Sequence, residues 1–339
     1  MSRATSTSLS ADASTTRGER PGRRRGAGEG AASSRLLRRL LGPLHFSGVF
    51  WYRFHLFGVR VLPEPLKPPL MVLFALAFFV ALGRIRRAVV HNLSWLTGGR
   101  RSRLAELRGA WRTILNLSWC LTETYEGLAD GGAVEVETEG EEVWADLLSR
   151  PGGFVIVTAH VGHWEIGSRL GRTDRRVHVV RQAEMDPRSQ RFLSRLLRER
   201  AGDRVVFHYA GQDDFTLGTR LLAALRRGEV VAMQADRVSR GGRSHWAPFL
   251  GNLLEMPLGP AALARVAEVP LVPIFVFRRG RGRSLVVIRP PIEVSRDAPR
   301  EQAQRQTTER LAREIEAAVR RHPHQWFCFR DLWGRRPGS

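Results

Sequence analysis

Phe154-Val155-Ile156-Val157-Thr158-Ala159-His160-Val161-Gly162-His163-Trp164-Glu165-Ile166-Gly167 is an apolar, β-branched run that ends abruptly in His, Gly, His and Glu. The run reads as a buried strand, and Ile166 and Leu170, four apart, suit the packed face of a helix that follows it. Open α/β sheets place their chemistry at such strand-to-helix junctions, beyond the carboxyl ends of the strands. A neutral histidine accepts a hydroxyl proton when a carboxylate on its other ring nitrogen fixes the tautomer and steadies the imidazolium. Five residues apart across a turn containing Gly162, His160 and Glu165 are expected to converge, with His160 as general base and Glu165 as its orienting partner.

Outward from this stretch, apolar runs alternate with amphipathic ones. Strands are expected at 154–158, 177–181, 204–208, 229–234, 271–277 and 284–289, with a further alternating strand in Val134-Glu135-Val136-Glu137. Helices are expected at 164–170, 187–200, 215–227, 258–267 and 301–321. The pattern specifies an α/β fold with a mostly parallel central sheet flanked by helices.

Upstream the character differs. Residues 1–34 are Ser, Thr, Gly, Ala and Arg with almost no large apolar side chain, and are expected to be a disordered basic tail. Residues 35–130 read as a helical, membrane-associating region, and 131–339 as the α/β domain. Aromatics at Trp51, Tyr52, Phe54 and Phe57 precede a proline-rich joint at Pro63, Pro65, Pro68 and Pro69. Leu70 to Leu82 is then nearly unbroken apolar sequence closed by Arg84, Arg86 and Arg87. A full span takes about 20 apolar residues, so this stretch suits a helix lying in or dipping into the interface. Residues 84–130 carry helical repeats, among them Leu104, Leu107, Trp111, Leu115 and Trp119.

The 339 residues carry a net charge of +21, which attracts nucleic acid, anionic membrane and acidic small molecules alike. No nucleic-acid-binding motif accompanies the charge, which is spread along the chain, so an anionic membrane surface is the expected partner and nucleic acid is not. Cys120 and Cys328, far apart and without an apolar signal segment, point to reduced thiols on the cytoplasmic side.

Two further blocks bear on chemistry. Val179-Val180-Arg181 leads through Asp186-Pro187 into a helix whose Arg188, Arg191, Arg195 and Arg198 share one face. Such a row is either a solvated face or a rim that grips phosphate, whose oxygens guanidinium forks match. Val230 to Gln234 leads to Asp236-Arg237, where Asp236 stands to orient Arg237 or an acceptor hydroxyl, or simply to cap a turn. His160, His163 and Glu165 are also zinc-ligand types. Without a His-Glu-x-x-His signature or a nearby Cys, no metal or cofactor is expected.

The blocks together resemble a known family. His160-x4-Glu165 before a helix is similar to the signature of the lysophospholipid acyltransferase superfamily, and more narrowly to the His-x-Gly-Asn-Trp-Glu of the lipid A late acyltransferases. His163 stands where that family usually has Asn. Ala247-Pro248-Phe249-Leu250-Gly251, Pro257-Leu258-Gly259-Pro260 and Pro323-His324-Gln325-Trp326 resemble later family blocks in the same order. The Pro-Glu-Gly-Thr-Arg loop of glycerol-phosphate acyltransferases is missing. The resemblance implies transfer of a fatty acyl group from acyl carrier protein or acyl-CoA to a hydroxyl of a membrane glycolipid such as a lipid A precursor, at the cytoplasmic face of the inner membrane. Alternative acceptors are a lysophospholipid, an ornithine lipid or a phosphatidylinositol mannoside, and a non-catalytic binding protein is the alternative class. By the same resemblance Arg181 and Arg198 are carried over as substrate-binding residues. Asp236, Arg237, Gly162 and His163 join them as candidates, with the oxyanion donors either backbone N–H groups near Gly162 or an arginine such as Arg181.

Overall fold

The computed structural model describes residues 48–98, 102–131, 134–169, 173–184, 186–211, 216–239 and 241–336. The expected disordered tail and its boundary near residue 34 lie outside them.

Four helices come first: α1 (Val49–Val61), α2 (Lys67–Ala81), α3 (Gly83–Thr97) and α4 (Arg103–Asp130). The remainder alternates as β1 (Glu135–Glu139), α5 (Glu141–Ser149), β2 (Phe154–Thr158), β3 (Val177–Gln182), α6 (Pro187–Ala201), β4 (Val205–Ala210), α7 (Leu217–Arg226) and β5 (Val230–Gln234). A hairpin of β6 (Ser244–Phe249) and β7 (Asn252–Pro257) follows, then α8 (Gly259–Ala267), β8 (Leu271–Gly280), β9 (Arg283–Ile288) and α9 (Arg300–Arg321). Seven strands form one sheet in the order β1-β9-β8-β2-β5-β3-β4, parallel except for the β8/β9 pair. The fold is therefore α/β, with a mostly parallel sheet flanked by helices.

The sheet's two faces are covered unequally. On one, Val155 and Val157 of β2 join Val231, Leu271, Phe275 and Phe277 beneath α7, α8 and α9 in the main core. On the other, α5 lays Leu147, with Val143, Trp144 and Leu148, over Phe154 and Ile288 toward the β1 edge. Between α5 and the strap of α1, α4 and α6 that share a second core, this face stays open as a groove.

α1 and α2 show why a bare apolar run does not specify a buried helix. Leu56 and Val59 of α1 pack with Leu128, Leu193 and Leu197, while Phe50, Phe57 and Val61 on the opposite side are at least half exposed. α2 buries Ala75 and exposes Val72, Leu73, Leu76 and Val80. Its start is pinned by Lys67, the chain's single lysine, whose buried Nζ lies 3.0 Å from Glu126 and pairs with Glu64. The stretch Glu64–Ala81 is long and apolar enough, by length and composition, to cross a membrane.

Three local outcomes differ from the sequence expectation. The helix expected over 164–170 is a 3-10 turn, Trp164–Arg169. α5 and the β6/β7 hairpin had no expectation at all. The hairpin's turn is Leu250-Gly251, both at positive φ, with the Leu250 amide donating to Glu316 Oε2 at 2.8 Å.

Candidate active site

Parallel register brings the site together. Thr158 of β2 pairs with Gln234 of β5, and His160 and Asp236 each stand two residues beyond that last pair. Equal offsets past neighbouring strand ends put the two side chains side by side. His160 Nδ1 lies 2.8 Å from Asp236 Oδ1, and the His160 amide donates to Asp236 Oδ2 at 3.1 Å. A carboxylate only accepts, so Nδ1 carries a proton, and in the neutral imidazole Nε2 keeps its lone pair.

The loop bearing His160 is held by its own backbone. Gly162 has φ +61°, and a Cβ there would sit 2.2 Å from the Val276 carbonyl oxygen, so only glycine fits. Gly162 N–H donates to Gln325 O at 2.7 Å, His163 N–H to Val276 O at 2.5 Å, and Phe327 N–H to His160 O at 2.9 Å. The segment Gln325–Phe327 thus straps the loop from behind, which is the structural use of the sequence block Pro323-His324-Gln325-Trp326.

Glu165 is placed differently from expectation. Its carboxylate forms a two-pronged ion pair with Arg181, Nη1 to Oε2 at 2.8 Å and Nη2 to Oε1 at 3.3 Å. Among the described contacts it makes no hydrogen bond to His160; Asp236 occupies that position. The cause is register again. Asp236 approaches from the neighbouring strand at the height of His160, whereas the 3-10 turn carries Glu165 onward to the end of β3.

The two carboxylates stay ionised. Burial pushes the Asp236 carboxyl up, but His160 and Arg237 outweigh it and hold it below the usual carboxylate range. Glu165 is likewise raised by burial and lowered by more, chiefly by the Arg181 charge, with His160 adding to the same side. The Arg181 guanidinium is pushed up, mainly by Glu165.

His160, Glu165 and Arg181 line a groove of about 650 Å³ on the open face of the sheet. Its floor is apolar, built from Ile156, Val179, Ala232, Ile274, Val276 and Ile288, and Trp144 and Leu148 wall the end under α5. Polar residues gather at the strand ends: Thr158, Gln182, Glu184 and Gln234 beside the His–Asp and Glu–Arg pairs. Arg181 is the one arginine lining it among the described residues.

The other candidates fall outside the groove. His163 is 1% exposed, with Nε2 3.1 Å from the Cys120 carbonyl oxygen and Nδ1 3.7 Å from Glu123. It ties the loop to α4, where Glu123 also pairs with Arg278 at 2.9 Å. Arg237 donates to the Phe327 carbonyl at 2.7 Å and so braces the strap. Arg198 lies exposed near the end of α6, about 17 Å of helix rise from its first residue, with Nε on Ser194 O. The amide of Gly162 is spent on Gln325 and that of His163 on Val276, so neither is free for an oxyanion. Among the described residues no group of three or more His, Cys, Asp or Glu side chains is arranged to hold a metal.

Sequence reasoning missed Glu184, which lines the groove, and Tyr52 behind it, whose Oη lies 2.9 Å from Glu184 Oε1. They are 132 positions apart, and no local pattern announces the pair.

The profile of the bacterial lipid A biosynthesis acyltransferases matches residues 40–335. Among solved structures, the 1-acyl-sn-glycerophosphate acyltransferase of Thermotoga maritima matches at 16% identity with a TM-score of 0.35, over 74% of this chain and 97% of that one. No curated protein matches the chain. With nearly the whole described chain inside the family profile, this protein belongs to the bacterial lipid A biosynthesis acyltransferase family and is an acyltransferase enzyme of lipid biosynthesis.

Proposed function

We propose that the enzyme transfers a fatty acyl group from a thioester, on acyl carrier protein or coenzyme A, to a hydroxyl of a membrane glycolipid such as a lipid A precursor. The observation that carries this reading is an imidazole with a free Nε2, backed by a buried carboxylate, opening onto a long apolar groove. Nε2 of His160 takes the proton of the acceptor hydroxyl, and the oxygen attacks the thioester carbonyl. The tetrahedral intermediate collapses, the carbon–sulfur bond breaks, and the departing thiolate takes the proton back from the imidazolium. Ester and free thiol leave, and the histidine is neutral again. Asp236 holds the tautomer and steadies the transient charge. Glu165 acts one step removed, by fixing the guanidinium of Arg181 at the groove wall, where a cation favours the oxyanion.

The acyl chain lies along the apolar floor toward Trp144. The acceptor stays in its bilayer, with α1 and α2 resting their exposed aromatic and aliphatic faces in the interface on the cytoplasmic side. α2 rises about 22 Å against a hydrocarbon core of about 30 Å, and its exposed apolar side places it in contact with the bilayer. The surplus of arginines favours an anionic leaflet and an acidic carrier.

Expression in a bacterial strain stripped of its own late acyltransferases, with mass spectrometry of the lipid extract, tests the reaction. A lipid A species heavier by one acyl group, present with wild type and missing with His160→Ala, is the expected result. An unchanged lipid A profile beside newly acylated lysophospholipid or mannoside would reassign the acceptor. No new acylated lipid of any class would refute the transfer.

A further inference from the structure

Tyr52 reaches Glu184, a residue of the groove lining, from a helix whose other side is bare. Its ring packs against Tyr125 and Phe192, with centroids 6.4 and 6.2 Å away, and its hydroxyl donates to Glu184. Glu184 stands just past β3, its amide fixed at 2.7 Å by Gln190 Oε1 in the first turn of α6. Its carboxylate lines the same groove as His160, Glu165 and Arg181.

The two acidic groups of this wall differ in one respect. Glu165 is neutralised by the fork of Arg181, whereas Glu184 takes part in no ion pair with a described residue. One of its oxygens is engaged by a neutral phenol, which leaves acceptor capacity turned to the groove. Burial and the nearby charge of Glu184 push the Tyr52 phenol up, so it stays protonated and remains a donor. The opposite side of α1 exposes Phe50, Phe54 and Phe57. The helix that holds Glu184 is therefore also the helix with an exposed aromatic surface.

We propose that Glu184, held by Tyr52, binds the acceptor: its free oxygen receives a hydroxyl or amide N–H of the lipid headgroup beside the hydroxyl to be acylated. The inference rests on the acyl-transfer reading above and deepens it. A fixed anion at this point selects hydrogen-bond donors and repels phosphate, so the phosphates of an acceptor lie away from it. Tyr52 touches no substrate; it is a positioning residue that acts through Glu184.

Steady-state transfer by the full-length enzyme tests this, with palmitoyl-CoA as donor. The acceptors are a bisphosphorylated glucosamine disaccharide lipid and a phosphatidylinositol mannoside, each in phosphatidylglycerol vesicles. Donor binding is followed separately with the thioether S-hexadecyl-CoA. Glu184→Gln should raise the acceptor KM about tenfold, since a hydrogen bond to a charged group loses its charge. Tyr52→Phe, which keeps both ring contacts, should raise it about threefold. Neither should change kcat or thioether affinity. An unaltered acceptor KM in both variants, or a thioether affinity that weakens in step with it, would overturn the proposal. Were Glu184→Gln unable to fold, Tyr52→Phe would decide alone. Wild type inactive on both acceptors with palmitoyl-CoA and with palmitoyl-acyl carrier protein alike, or His160→Ala as active as wild type, would sink the acyl-transfer reading itself, a result distinct from either outcome above.

Discussion

His160 is useful because of what its neighbours have already fixed. Asp236 holds Nδ1, the Asp236 carboxylate accepts the His160 amide as well, and Trp164 stands 5.3 Å from the imidazole, ring to ring. Asp236→Asn keeps the shape but offers an amide in place of a charge, and should lower kcat by about 10²–10⁴ with the far-UV spectrum unchanged. Gly162→Ala meets the Val276 carbonyl and a positive φ together, so its melting temperature should fall, by an amount worth about 2 kcal/mol or more. A third residue reports on pH. Burial, with Arg321 and Arg279 adding, pushes His322 down to about 4 from an ordinary 6.5. Between those values the unfolded chain binds the extra proton, so this part of the stability is present above pH 6.5 and is lost as pH falls toward 4. Urea titrations of His322→Gln should show a shallower loss across that window than wild type. Asp236 and Glu165 act lower: with folded values below the unfolded ones, their stabilisation is lost only as pH falls through the folded values.

At the scale of elements, strands were the most legible part of the chain. β2, β3, β5, β8 and β9 lie within a few residues of their expected places because β-branched runs bounded by Gly, Pro and charge leave few alternatives. α5 escaped notice because it is short and its first turn is acidic, with its apolar residues legible only once β9 lies beneath them. The partner of His160 was misread for a related reason. His-x4-Glu is visible as spacing along one chain, whereas His160–Asp236 depends on β5 lying next to β2, which no local pattern states. The same blindness hid Tyr52–Glu184. Two predictions belong to elements. Trp144→Ala opens the groove end under α5 and should shift donor preference toward longer acyl chains, measured with a thioester series. Phe54→Glu with Phe57→Glu places charge on the exposed side of α1, and should cut vesicle binding about tenfold or more while leaving the melting temperature unchanged.

For the whole molecule, charge and apolar surface act together. Under the proposed function, the net charge of +21 and the bare aromatic and aliphatic side chains on α1 and α2 would meet an anionic interface in two ways, by attraction at a distance and by insertion at contact. The groove opens on the sheet face framed by α5 on one side and by α1, α4 and α6 on the other, so the helix with exposed aromatics, α1, also frames the groove. Co-sedimentation with phosphatidylglycerol vesicles should weaken as salt rises from low to physiological ionic strength, and should keep a residual apolar component at high salt.

The proposed reaction turns on proton transfer by His160. The measurement that tests it most directly is the rate of acyl transfer by His160→Gln, taken beside its affinity for S-hexadecyl-CoA. The prediction is a rate lower by about 10²–10⁴ with thioether binding intact. Transfer near the wild-type rate in that variant would contradict it.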